Sequence, residues 1–514
     1  MNMSQEAINL SARALGQAVG RGEISAIEAI EAAIVRIEAV NPKLNALVLK
    51  RYDEARQEAC ELDARRARGE ALGPLAGVAV TVKECLDVAG TPSTFGLPSR
   101  TGVRASGDDI HVSRIRQSGA IVVGKTNLAQ MLAYIESDNP VYGRTFNPWN
   151  ADRSCGGSSG GEGALIGAGA SLLGLGTDIG GSARYPAAFC AAASLKPTAG
   201  RCPDPGRYSF DAGQQAITSQ VGVLAHHVDD VALGLECING GPLLERAAEV
   251  NLRELRVGYY EQDGIFSSSP AVRRAVREAA EAFAQSGARV TPWQPHDVPT
   301  VFRLFYRILG GDGFRWFRQN LKGHPVHPSL KPMMALGGRP AFMLRGLGAV
   351  LGAMGQGHLS RFLPNIAGMD VHGYWRLVEE LREYRERFAH AMEQAEGGQL
   401  DLVLGPVCAL PAFRHGSTKD LGLAGANTLL YNVLGYPAGV VPWTRVRAGE
   451  ESDRAPSVDI VEKAAKRCEE GSAGLPVAVQ IAARPWREHV ALAAMSQLEA
   501  AARARSDYPA RPAY

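Results

Sequence analysis

The sequence predicts an α/β fold, one central sheet flanked by helices and carrying a helical cap, on three observations. Short apolar runs rich in valine and isoleucine and broken by glycine recur toward both ends of the chain: AGVAVTVKE (76–84), GAIVVGKT (119–126), DLVLGP (401–406) and GLPVAVQIAA (474–483). Separated by helical stretches, such runs read as buried strands, and strands from both ends are expected to share one sheet. SAIEAIEAAIVRIEAV (25–40) reads as a docking helix, with Ile27, Ile30, Ile34 and Ile37 on one stripe and Ser25 and Glu28 placed as a capping box. Between Pro299 and Gly373 aromatics, methionines and prolines cluster, as in FRLFYRILGGDGFRWFRQN and KPMMALGGRPAFMLRGLGAV, which reads as a helical cap inserted into the core. The YWRLVEELREYRERFAHAMEQA stretch that follows has the spacing and charge of a surface helix. The chain is therefore expected to be a single domain over 1–514, with a core block at 75–205 and the cap at 299–373.

Composition narrows the function classes. The 55 Lys and Arg nearly balance the 53 Asp and Glu, so no net field steers the protein to nucleic acid. Eight cysteines lie scattered singly without a CxxC pair, which fits a reducing cytoplasm. The N-terminal MNMSQEAINLSARALG lacks the unbroken apolar stretch of an export signal. AFMLRGLGAVLGAM (341–354) falls short of the roughly 20 apolar residues that span a bilayer and contains Arg345, so peripheral membrane contact is the most it supports.

Three short patterns invite other readings. Gly119 to Thr126 fits the phosphate-loop pattern G-x-x-x-x-G-K-[ST], but Ala120 to Val123 is itself strand-like where phosphate cradling needs a loop. Gly156 to Gly160 (GGSSG) fits the G-x-S-x-G elbow, which calls for an aspartate and then a histidine partner. His226 and His227 with Asp229 and Asp230 could suggest a metal, yet a helix start with acidic residues in its first turn explains them more simply.

The block that carries chemistry is CGGSSGGEGALI followed by LGLGTDIGGSARYPAAFCAAASLKPT. With GVAVTVKE, NPWN, GKTNLAQM, LLYNVLGYPAGVVP and GLPVAVQIAARPWRE, it closely resembles the amidase signature family, and within it the fatty acid amide hydrolase branch. The resemblance spans most of the chain. It implies the amidase signature fold, with a mixed, twisted central sheet, and no cofactor or metal.

The resemblance implies a catalytic Lys83 in VTVKE, a relay Ser158 in GGSSGG and a nucleophile Ser182 in DIGGS. A serine hydroxyl is a poor nucleophile until a base takes its proton, and Ser–Lys systems are an accepted variant of that logic. Desolvation beside an apolar strand would disfavour the charged form of Lys83, as a general base requires. The resemblance also implies a cis Gly157–Ser158 peptide and an oxyanion hole from the N–H groups of Ile179, Gly180, Gly181 and Ser182, where side chains at Gly180 or Gly181 would obstruct. Ser159, Asp178 and Arg184 match supporting positions.

A hydrophobic, long-chain acyl amide is the expected substrate. The apolar cap from Met333 to Met354 points there, as do Gln130-Met131-Leu132, which resembles an acyl-channel wall, and Trp486, which resembles a channel aromatic. Short-chain, aryl or peptide amides, and an amidotransferase subunit needing partner subunits and glutamine, are the alternatives within the family. An alternative of another class is a non-catalytic binding or assembly subunit, which would keep its function after Ser182→Ala. The resemblance is also compatible with a homodimer.

Overall fold

The structure, a computed structural model, describes residues 9–203, 213–241, 243 and 245–512. The first eight residues of the segment read for an export signal, and the end of the 75–205 block, lie outside the described residues. Among the described residues, eleven strands form the central sheet: β1 (Leu47–Lys50), β2 (Ala79–Lys83), β3 (Ile121–Thr126), β4 (Leu173–Asp178), β5 (Ala193–Lys196), β6 (Gln220–Ala225), β7 (Arg256–Tyr259), β8 (Arg289–Pro292), β9 (Leu402–Pro406), β10 (Ala438–Arg445) and β11 (Pro476–Ala483). Their order is β1-β3-β2-β4-β6-β5-β10-β11-β9-β7-β8. Pairing is parallel within β3-β2-β4 and within β9-β7-β8 and antiparallel elsewhere. The sheet is therefore mixed, and strands from both ends of the chain meet in it.

All four apolar runs are strands, and every residue of β2, β3, β4, β9 and β11 is buried. Where a two-sided core is this apolar, any polar side chain in it needs a partner. The helix Ala26–Leu44 carries the expected capping box: Glu28 N–H donates to Ser25 Oγ at 3.2 Å and Ser25 N–H to Glu28 Oε2 at 2.9 Å. Ile30, Ile34 and Ile37 are buried against the sheet, with Ile27 partly so.

The phosphate-loop pattern dissolves into β3. Lys125 is buried there and its ammonium donates to Pro92 O at 2.6 Å and Ser93 Oγ at 2.9 Å, a structural role within the sheet rather than at a phosphate loop. His227 does precede a helix, Val228–Asn239, with Asp229 and Asp230 in its first turn. The Asp230 carboxylate accepts the N–H groups of Ala12 and Arg13, both at 2.9 Å, and so ties the N-terminal helix Ala12–Arg21 to the body.

From Val298 to Glu393 the chain is helical in pieces: Val298–Leu309, Arg315–Leu321, Lys331–Leu336, Ala341–Ala353, Gly357–Phe362 and Val371–Glu393. Phe314, Phe317, Leu330, Leu344, Leu363 and Ile366 form a small core of their own with Leu97, Met131 and Tyr134. The middle of the segment thus rests on the loop after β3, while its first and last helices bury Val301, Phe305, Leu381 and Phe388 in the main core. Among the described residues no helix is long and apolar enough to cross a membrane.

Candidate active site

Lys83 ends β2 with its side chain wholly buried, and its Nζ donates to Ser158 Oγ at 2.7 Å and to Thr177 Oγ1 at 2.7 Å. Ser158 lies just ahead of the helix Gly160–Gly167, after a cis Gly157–Ser158 peptide. Ser159 N–H donates to Ser182 O at 3.0 Å, and Thr177 N–H to Ser159 Oγ at 3.3 Å. Three segments distant in sequence are thereby laced together at the carboxyl ends of β2 and β4. The G-x-S-x-G reading is corrected at this point, because the side chain that meets Ser158 is a lysine and not a histidine.

Asp178, the last residue of β4, organises the turn that carries Ser182. Its carboxylate accepts from Arg184 Nη2 and Nε, each at 2.9 Å, from Asn432 Nδ2 at 2.9 Å, and from the N–H groups of Gly181 at 2.8 Å and Ala183 at 3.3 Å. Burial alone would push this carboxyl up. The Arg184 charge and these hydrogen bonds instead hold it well below the usual carboxylate range. Arg184 is itself saturated, donating also to Thr428 O at 3.1 Å, Gln480 Oε1 at 2.7 Å and Asn432 Oδ1 at 2.5 Å. Gly181 has φ 105°, and a Cβ there would stand 2.4 Å from Thr428 Oγ1 and 2.5 Å from a Tyr185 ring carbon, so only glycine fits. Of the four N–H groups expected to bind an oxyanion, that of Gly181 is engaged by Asp178.

Ser182, Gly157, Ile179 and Gly180 line a cavity of about 730 Å³, counted with its open mouth. Its other walls are chiefly apolar: Leu132 and Tyr134 come from after β3, Phe305, Tyr306, Leu309, Phe314, Phe317 and Met333 from the helical segment, and Tyr185 and Leu429 from two further helices. Such a chamber suits an apolar group whose reactive end meets a few polar atoms.

The sequence-predicted residues divide accordingly. Lys83 and Ser158 form one bonded cluster, joined by Thr177, while Ser159, Asp178, Arg184 and Ser182 share the adjoining network. Leu132 lines the cavity, whereas Met131 is buried behind it, and both have left-handed backbone. Gln130 Nε2 donates to Pro325 O at 2.9 Å, pinning the helical segment. Trp486 requires correction: it is 56% exposed in the turn after β11, outside the cavity lining, with the Arg201 guanidinium 5.1 Å over its ring. Local sequence does not reveal which part of the sheet edge faces the chamber. Thr177, Asn432 and Gln480 went unread, although Thr177 adjoins Asp178 inside the motif itself.

The sequence matches the family model for Amidase over residues 28–492. It is 36% identical over 508 residues to fatty-acid amide hydrolase 1 of Sus scrofa, covering 94% of this chain and 84% of that protein. It is 32% identical over 450 residues to acetamidase of Aspergillus oryzae, covering 82% of this chain and 76% of that protein. A solved fatty acid amide hydrolase superposes with a TM-score of 0.82 over 97% of this chain and 86% of that one; at 23% identity this shows the fold.

Proposed function

The chain belongs to the amidase family and is an amide hydrolase, and from that premise we propose that it cleaves amides of hydrophobic acyl groups through an acyl-enzyme on Ser182. The supporting observation is the 2.7 Å contact of Lys83 Nζ with Ser158 Oγ beside the apolar chamber that Ser182 lines. Lys83 acts as base on Ser158, and Ser158 takes the Ser182 proton as its Oγ attacks the amide carbon. The developing oxyanion accepts from the N–H groups of Ile179, Gly180 and Ser182, while the Gly181 N–H stays on Asp178 and fixes the turn. On collapse of the tetrahedral intermediate, Lys83 returns the proton through Ser158 to the departing amine. Water then attacks the ester, losing its proton along the same route, and Ser182 is regenerated as the acid leaves.

The aromatic and leucine walls favour a long acyl chain, since each methylene they bury contributes about 0.8 kcal/mol, or about fourfold in binding. We read the chain as one domain whose helical insertion at 299–373 roofs this chamber. Access for a lipid-like substrate is supported by the helix Ala341–Ala353, where Phe342, Met343, Leu347 and Val350 are exposed together, a clustering of apolar side chains that marks interaction surfaces. The eight cysteines lie scattered singly in the sequence without a CxxC pair, which supports a reducing compartment.

The test is hydrolysis of matched p-nitroanilides from acetyl to long fatty acyl, with Lys83→Ala and Ser182→Ala alongside. We expect kcat/KM to rise with acyl length and to vanish in both variants. A preference for acetyl would overturn the substrate class.

A further inference from the structure

Glu162 is fully buried in the first turn of the helix Gly160–Gly167, and its carboxylate lies over the strand face that carries Lys83. Thr81 Oγ1 donates to Glu162 Oε2 at 2.6 Å and Thr126 Oγ1 to Oε1 at 2.7 Å. Thr81 and Lys83 alternate onto one face of β2, and Thr126 is the register partner of Lys83 on β3. Both oxygens are thus held by the immediate neighbours of the lysine. β4 makes room for the group: a Cβ on Gly174 would sit 1.9 Å from Glu162 Oε2.

The other groups facing Glu162 are neutral. Ser171 Oγ lies 3.1 Å from Thr81 Oγ1, and Gly174 and Ile166 close the remaining side. The charge that acts on the carboxylate is that of Lys83, and burial pushes its carboxyl up to about 7, against the two threonine hydroxyls. A buried acid of this kind needs a functional or structural reason, because replacing it with an apolar side chain would remove a large desolvation cost.

We propose that Glu162 is a positioning residue for Lys83, its carboxylate serving as counter-charge for the ammonium that Lys83 becomes each time it takes the Ser158 proton. No bond is made or broken at Glu162. The proton moves only between Ser158 and Lys83, and the carboxylate makes the charged product of that transfer less costly in a dry site. The proposal rests on the reading of Lys83 as the base.

The experiment is the pH profile of kcat/KM and kcat for Glu162→Gln, Thr81→Val and Lys83→Ala on a single p-nitroanilide, with circular dichroism to confirm folding. Glutamine keeps the size of Glu162 but not its charge; its Oε1 still accepts from one threonine, and its amide N–H must donate to the other hydroxyl. The acid limb of kcat/KM is expected to move to lower pH by about one unit, since the ammonium has lost an opposite charge. The kcat at the alkaline plateau is expected to fall about tenfold with KM unchanged, because the ammonium formed in the transition state is then unsupported. Thr81→Val removes one hydrogen bond to the carboxylate and is expected to shift the limb the same way by less. A folded Glu162→Gln with an unmoved limb overturns the proposal. If Glu162→Gln does not fold, an unmoved limb in Thr81→Val overturns it instead. Activity surviving in Lys83→Ala overturns the base assignment as well, whereas a dead Lys83→Ala beside an unmoved Glu162→Gln overturns the counter-charge alone.

Discussion

Arg184 grips Asp178 through two parallel hydrogen bonds of 2.9 Å in a fully buried pair, and the same carboxylate holds the Gly181 N–H one residue before Ser182. The pair is thus the frame on which the turn carrying Ser182 is built. Arg184→Ala would strand a buried carboxylate, a change that typically costs about 3–5 kcal/mol. We expect that loss in urea unfolding together with loss of activity. Arg184→Lys should not restore either, because an ammonium cannot make the paired contact. Wild-type stability in Arg184→Ala would contradict this role.

Thr177 is the second acceptor of the Lys83 side chain. Thr177→Val keeps the volume and deletes the hydroxyl, leaving Lys83 aimed less firmly at Ser158. The expected effect is a fall in kcat of about tenfold, corresponding to about 1.4 kcal/mol, with KM little changed. A rise in KM with kcat intact would assign Thr177 to substrate binding instead.

His226 supplies a pH prediction remote from the chemistry. Burial, reinforced by Arg503, lowers its pKa to about 3 from 6.5, so the folded protein binds this proton less readily than the unfolded chain. The corresponding stability is complete above about pH 6.5 and is lost as pH falls toward 3. His226→Phe should therefore lose less stability than wild type between about pH 7 and about pH 4.5, by on the order of 2 kcal/mol, in urea titrations. Equal losses in the two proteins would contradict the assignment.

Phe342 and Leu347 stand exposed on the helix Ala341–Ala353 at 72% and 39%. Replacing both with glutamate should reduce liposome sedimentation and turnover of long-chain amides, and leave acetyl turnover within about twofold because these side chains lie outside the chamber lining. Unchanged liposome binding and long-chain turnover would rule out this helix as the lipid-facing surface.

Much of the fold is legible in the sequence itself. The valine and isoleucine runs of β2, β3, β9 and β11 announced themselves because strands buried on both faces carry continuous apolar side chains. Lys83, Ser158 and Ser182 are singled out by the resemblance rather than by any local pattern of their own. Thr177 and Glu162 escaped because their meaning depends on register: only the pairing of β2 with β3 and β4 brings Thr81, Thr126 and Gly174 around one carboxylate. The commitment of Gly181 to Asp178 is a backbone orientation that no residue type encodes. Trp486 misled for a related reason, since an aromatic in a conspicuous turn says nothing about which side of that turn meets the chamber.

The central claim is that Ser182 carries the acyl group, and the most direct measurement is the mass of the protein after rapid acid quench during turnover of a long-chain p-nitroanilide. The account predicts a mass increase equal to the acyl group, mapped to the peptide containing Ser182 and absent from Ser182→Ala and Lys83→Ala. An adduct on another residue, or one that persists in Ser182→Ala, would contradict it.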